Sequence, residues 1–209
     1  MQSGCAVRRA DHVELFLLQL YSEMAHACTR GTWTCFESRG LPNDTPNGGY
    51  TTPSQSIVPL HLKWLLVWEE PLARAVTLCR ACPRAWLGDG ERIAVRDAPT
   101  ALGRISFNIS SKLGATIPVI TAAIQVIGMA GGQPRRRMPN KQPAIAVRLR
   151  APVGWHMESV SLDGLDWQDF DPKKETVTLP LPPAPLGTQH TGGTVADTQR
   201  FHMVATMSR

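Results

Sequence analysis

The sequence predicts a mainly β protein, an antiparallel β-sandwich preceded by a single helix. Between 62 and 180, short apolar or alternating stretches recur between glycine and proline turns, without the interleaved helices that a βαβ unit needs. The stretch RISFNIS sets Ile105, Phe107 and Ile109 against Arg104, Ser106, Asn108 and Ser110, the alternation of a strand with one dry and one wet face. One segment, 11–28, carries a clear helical period.

In that segment Asp11 is placed to cap, with Glu14 three residues on. Val13, Phe16, Leu17, Leu20, Tyr21, Met24 and Cys28 recur at helical spacing, and Leu15 and Leu18 widen the stripe. So broad an apolar surface asks for burial on more than one side, which implies a helical partner or self-association through the helix. Positions 29–61 are rich in turn-formers and show no period, so a long loop is expected. LKWLLVWE, 62–69, reads as a strand rather than a helix because Pro71 follows, and AVTLC, 75–79, is its hairpin partner.

Asp89-Gly90 is a hairpin-type turn. Strands are then expected at 93–95, 104–110, 117–127, 145–150, 158–162 and 176–179, with Asp163-Gly164 as a further turn. From Pro180 the chain is rich in Pro, Gly and Thr and reads as a linker, with QRFHMVATM the one stretch able to add a strand. The expected organisation is a helix and aromatic loop over 1–61, a β-sandwich over 62–180 and a tail over 181–209.

Bulk properties narrow the function. The hydrophobic share of 43% and charged share of 19% suit a folded chain. The formal net charge of +5 does not by itself call for nucleic acid. The basic run Arg135 to Arg137 reads as a solvated loop without the interleaved rings that stack bases, so no nucleic-acid partner is expected. The five cysteines, Cys5, Cys28, Cys35, Cys79 and Cys82, are odd in number and sparse, which argues against a disulfide scaffold. Cys79 and Cys82 form one CxxC without a second close pair, so buried thiols are expected rather than zinc or redox chemistry. No cofactor or metal is implied, and the aspartates of DGLDWQDFD lack the spacing of an EF-hand loop. No signal peptide and no uncharged run long enough to span a bilayer is visible, so no membrane partner and, by default, a cytoplasmic location are expected.

Several stretches fall into an order similar to that of a known group. TRGTWTCFESRG is followed by YTTPSQSIVPLHLKWLLVWEE, LCRACPRAWLGDGERIAV, APTALGRISFNIS, IAVRLRAPVGW and VSLDGLDWQDFD. Over about Leu15 to Leu179 this resembles the C-terminal part of large bacterial glycoside hydrolases with an (α/α)6-toroid catalytic domain followed by a β-sandwich. The resemblance implies that the helix is left over from a toroid whose other helices lie elsewhere, in cis or in trans. It also implies that Trp86 closes the sandwich or its seam.

Within TRGTWTCFESRG, Glu37 is the acid whose surroundings suit a sugar cleft. On a strand it shares a face with Trp33 and Cys35, leaving Phe36 for the core. Trp33 offers a ring to a pyranose, and Arg30 and Arg39 offer donors to hydroxyls. The resemblance implies an acidic or substrate-binding role for Glu37. The plain alternative is an ion pair of Glu37 with Arg30 or Arg39 on a surface loop. Glycoside hydrolysis uses two carboxyl groups about 5–10 Å apart, and no second acid is tied to Glu37 by spacing. The expected function is therefore the C-terminal or accessory portion of a carbohydrate-active glycoside hydrolase, inactive alone. The alternatives are a structural sandwich, or a carbohydrate-binding module using rings such as Trp155 and Trp167.

Overall fold

The computed structural model describes residues 11–29, 31–32, 34–36, 38–39, 46–47, 51–70, 75–128, 144–180 and 198–209. The fold is mainly β, with 48% strand against 22% helix, and comprises two compact units, Met1–Leu65 and Leu66–Arg209.

In the first unit, helix α1 spans Val13–Ser22 and continues as a π-helical turn over Glu23–Ala27. Its buried face is Val13, Phe16 and Leu20, while Leu15, Leu18 and Tyr21 are at least half exposed. The two-residue strands β1 (Ser38–Arg39) and β2 (Pro46–Asn47) pair antiparallel. Helix α2 follows at Thr52–Leu66. Buried His61 of α2 meets Glu23 (Nδ1 to Oε2, 2.8 Å) and the rings of Phe16 and Trp64. The π turn thus supplies a carboxylate to the seam between the helices. Cys28 and Cys35 are joined by a disulfide. Gln55 brackets Cys35 from α2, accepting its N–H (3.1 Å) and donating to its carbonyl (2.5 Å). Closing so short a loop is worth about 2.5 kcal/mol on chain entropy alone.

Three expectations need correction here. The described residues contain two α-helices rather than one, and no toroid remnant. Residues 62–66, expected as strand, are helical: Pro71 forbids a helix running through 71, not one that stops at Leu66, and the internal Pro59 is tolerated. The cysteines do form a disulfide, because the chain doubles back between Cys28 and Cys35 as an isolated antiparallel bridge.

The second unit holds two sheets, compatible with a β-sandwich-type domain. Strands β3 (Val67–Glu70) and β4 (Ala75–Leu78) form the expected hairpin. A short 3-10 turn, Arg84–Leu87, leads to β5 (Arg92–Thr100), β6 (Gly103–Lys112) and β7 (Val119–Ile127). Then come β8 (Ala144–Arg148), β9 (His156–Leu162), β10 (Leu165–Asp166), β11 (Phe170–Asp171), β12 (Thr176–Leu179) and β13 (Thr198–Ser208). The six-stranded sheet has the order β10-β9-β13-β7-β6-β5 and the five-stranded sheet the order β11-β12-β8-β4-β3. Among the described residues every strand pairing in these two sheets is antiparallel except β4 with β8.

Strand β13 takes up QRFHMVATM, the stretch of 181–209 that the sequence left able to add a strand. Phe201, Met203, Ala205 and Met207 alternate inward, and the strand pairs with both β7 and β9. Period-two burial outweighed the linker-like composition before it. The dry side of this sheet includes Ile105, Phe107 and Ile109 of β6 and Ile120, Ala122 and Ile124 of β7. Burial of such aliphatic and aromatic area is worth about 25 cal/mol per Å² and fixes the register, since a one-residue slip would turn these side chains to water.

Candidate functional site

The opposite, wet face of the six-stranded sheet carries a concavity. Register places Ala94, Asn108, Ala123 and His202 in one row across β5, β6, β7 and β13. Ser106, Gln125 and Arg200 form the next row on β6, β7 and β13. Short side chains at Ala94, Ser106 and Ala123 leave a depression between longer neighbours. The result is a cleft of about 430 Å³ whose polar rim includes Arg92, Arg96, Asn108, Gln125, Arg200 and His202.

Local hydrogen bonds set the charge of this cleft. Arg92 Nε donates to Asn108 Oδ1 at 2.6 Å, which orients both planar groups. Register shifts between Val95 and Ala98, and Asp97 takes a left-handed φ of 57° at this bulge. The Asp97 N–H donates to the Ser106 hydroxyl (2.9 Å), and the Asp97 carboxylate pairs with Arg104 (3.2 Å). That carboxylate is thus spent on Arg104, outside the rim, and Arg96 and Arg200 have no ion-pair partner among the described residues. Asp163 is the one acid lining the cleft, and its Oδ1 accepts the His202 N–H at 2.7 Å while its own N–H donates to the His202 carbonyl. Three guanidinium groups therefore face a single carboxylate. The rim is therefore weighted toward positive charge, and the carboxyl pair that glycoside hydrolysis uses is missing from its lining.

Of the sequence-predicted site, Arg30, Trp33 and Glu37 lie outside the described residues. Arg39 has its backbone in β1, and its side chain lies outside the description too. The basic run Arg135 to Arg137 is likewise outside. The two rings proposed as a sugar platform are engaged. Trp167 is half-buried, with Nε1 donating to the Thr178 carbonyl at 2.9 Å, and Arg209 lies over Trp155 at 5.1 Å.

Among the described residues no group of three or more His, Cys, Asp or Glu side chains is placed to hold a metal ion. The aspartates of DGLDWQDFD do turn chemistry. Asp171 accepts the N–H groups of Lys173 and Lys174, both at 3.0 Å. The Lys174 backbone bond, reinforced by that of Lys173, holds its carboxyl below the usual aspartate range. No helix of the described residues is long and apolar enough to cross a membrane.

Cys79 and Cys82 are fully buried thiols just beyond β4. Burial pushes the Cys82 thiol well up, with the hydrogen bond and charge of Cys79 acting in the same sense and Arg150 pulling the other way. Arg150, itself buried, donates to the Cys82 carbonyl at 2.9 Å. A thiol so held stays protonated at neutral pH and is shielded from electrophiles. Native chain treated with a maleimide should leave both residues unlabelled on peptide mapping, and denatured chain should label both. Native labelling as fast as that of a small-molecule thiol would refute this.

The rim arginines Arg92, Arg96 and Arg200 had not been singled out from sequence. The available signal was the wet-face alternation of β6, extended to its neighbours once strand order is known. The resemblance to toroid-bearing glycoside hydrolases finds no support from homology, and what stands is the mainly β fold with two sheets. The chain matches no protein-family model, no curated protein and no solved structure.

Proposed function

We propose that the chain is a non-catalytic β module accessory to a carbohydrate-active enzyme, and that it holds a saccharide in the wet-face cleft of the six-stranded sheet. The observation that supports this reading is the cleft itself. A floor of Ala94, Ser106 and Ala123 is bordered by the planar, multi-donor side chains of Asn108, Gln125 and three arginines. Planar amides and guanidiniums present pairs of hydrogen-bonding groups at fixed spacing, which suits the adjacent oxygens of a sugar ring. The absence of a carboxyl pair from the lining supports binding without turnover.

Calorimetric titration of the full chain with oligosaccharides, beside turnover assays on aryl glycosides, tests this. Saccharide binding without hydrolysis is expected. Robust turnover abolished by Glu37→Gln would replace this reading with an enzymatic one centred on Glu37, Trp33, Arg30 and Arg39. The exposed stripe Leu15, Leu18 and Tyr21 on α1 favours a second reading, a structural module meeting a further helical partner in cis or in trans. A chain that takes up no saccharide and self-associates in light scattering would favour it.

A further inference from the structure

The cleft's charge narrows the ligand beyond a saccharide in general. Neutral sugars need donors and acceptors in balance, whereas this rim is weighted toward cations. Arg96 and Arg200 have no ion-pair partner among the described residues, and Arg92 is held through Nε by Asn108, an arrangement that leaves the terminal nitrogens of its guanidinium for another acceptor. The one lining carboxylate, Asp163, is turned to the β13 backbone. Three guanidinium groups line this sheet face while its one lining carboxylate is turned to backbone, so the face presents net positive potential to a ligand.

Spacing adds a second constraint. Arg200 on β13 and the two arginines on β5 are separated by three strand steps, in the order β13-β7-β6-β5. At about 4.8 Å per step this is about 14 Å across the sheet. That exceeds the screening length of about 8 Å at physiological salt, so a single small anion near one edge is poorly felt at the other. A ligand bearing several anionic groups along its length satisfies both edges. Asn108 and Gln125, between them, suit uncharged hydroxyls. No exposed aromatic side chain lines the cleft, so stacking of nucleic-acid bases has no platform there.

We propose that the wet-face cleft binds an acidic glycan, with Arg92, Arg96 and Arg200 taking its carboxylate or sulfate groups and Asn108 and Gln125 its hydroxyls. This rests on the saccharide-binding reading above and specifies the ligand's charge.

The test is calorimetric titration of the full chain with four probes: an oligogalacturonate, a heparin-derived oligosaccharide, a neutral cello-oligosaccharide and single-stranded oligothymidylate. Binding of one or both acidic oligosaccharides at least tenfold tighter than the neutral one is expected, and the preferred member distinguishes carboxylate from sulfate recognition. Affinity should fall as salt rises. Arg96→Gln and Arg200→Gln should each weaken acidic-glycan binding about tenfold, as expected for loss of a charge-assisted contact. Lys173→Gln, which removes an exposed charge between β11 and β12 and outside the cleft lining, should leave it unchanged, and circular dichroism verifies that each variant is folded. Equal binding of neutral and acidic oligosaccharides overturns the acidic specificity and leaves the saccharide reading standing. Binding of no oligosaccharide overturns both. Tighter binding of oligothymidylate than of any glycan, or acidic-glycan binding unaffected by the Arg96 and Arg200 substitutions, overturns the assignment of the cleft.

Discussion

Gly103→Ala is expected to cost the β unit about 3–5 kcal/mol, among the largest effects open to a single methyl group. Gly103 begins β6 at a φ of 120°, where a side chain is strained in any surroundings. The turn before it is locked: the Thr100 hydroxyl donates to the Gly103 carbonyl (2.7 Å) and accepts the Leu102 N–H (3.1 Å). A Cβ at this position would collide with the Ile127 carbonyl oxygen and reach within 3.0 Å of Gly128 Cα. Both obstacles are backbone at the end of β7, so no rotamer change relieves them. Relief requires opening the Arg104–Ile127 end of the β6–β7 ladder. Gly154→Ala is the matched comparison, with a φ of 90° and nothing within 4 Å of the added atom. It should cost about 1 kcal/mol. Urea unfolding of the two variants separates strain from collision. A Gly103→Ala chain as stable as Gly154→Ala would show that the β7 end yields freely.

Phe107→Ala should destabilise by about 3–5 kcal/mol, the range for emptying a buried aromatic site. Phe107 is 3% exposed at the middle of β6, opposite Val95 on β5 and Ile124 on β7. Its ring lies on the dry side, while its neighbours Ser106 and Asn108 project to the wet side and line the cleft. Phe107→Leu keeps most of the apolar volume and should cost less than about 1.5 kcal/mol. The pair is informative because the dry face supports the wet one. Loss of the ring should lower the unfolding midpoint sharply, and leucine should retain it together with ligand affinity. A small loss for alanine would mean that the surrounding strands collapse into the space.

The longer strands of the β unit were legible where they bury one face, whereas the two-residue β10 and β11 gave no such alternation. Ile105, Phe107 and Ile109 announce β6 by alternation, and the β3–β4 hairpin was recognised by composition and the break between its strands. Helix α2 was obscured by Pro71 beyond its end and by the lack of a helical period in the turn-former-rich residues up to 61. Pro59 inside it and Pro71 after it are both breakers by propensity, yet a helix ending at Leu66 conflicts only with the first. The disulfide was hidden because pairing depends on the chain doubling back, which spacing and an odd count do not report. The alternation of QRFHMVATM marked it as able to form β13, while the Pro/Gly/Thr-rich residues before it gave no sign of where that strand would pair.

The cleft was the least legible feature. Arg92 and Arg96 lie on β5 and Arg200 on β13, at opposite ends of the domain's sequence. Only the strand order β13-β7-β6-β5 brings them to one surface. Periodicity tells which way each side chain turns. It is silent on which strands become neighbours, because that depends on long-range packing.

The position of β13 has a kinetic corollary. It is inserted between β7 and β9, although all three are far apart along the chain. During synthesis, β7 and β9 emerge from the ribosome with their facing borders unzipped, and each waits for the same late-arriving segment. A nascent chain paused before residue 198 would therefore offer two unpaired strand edges to its neighbours until β13 arrives to pair with both.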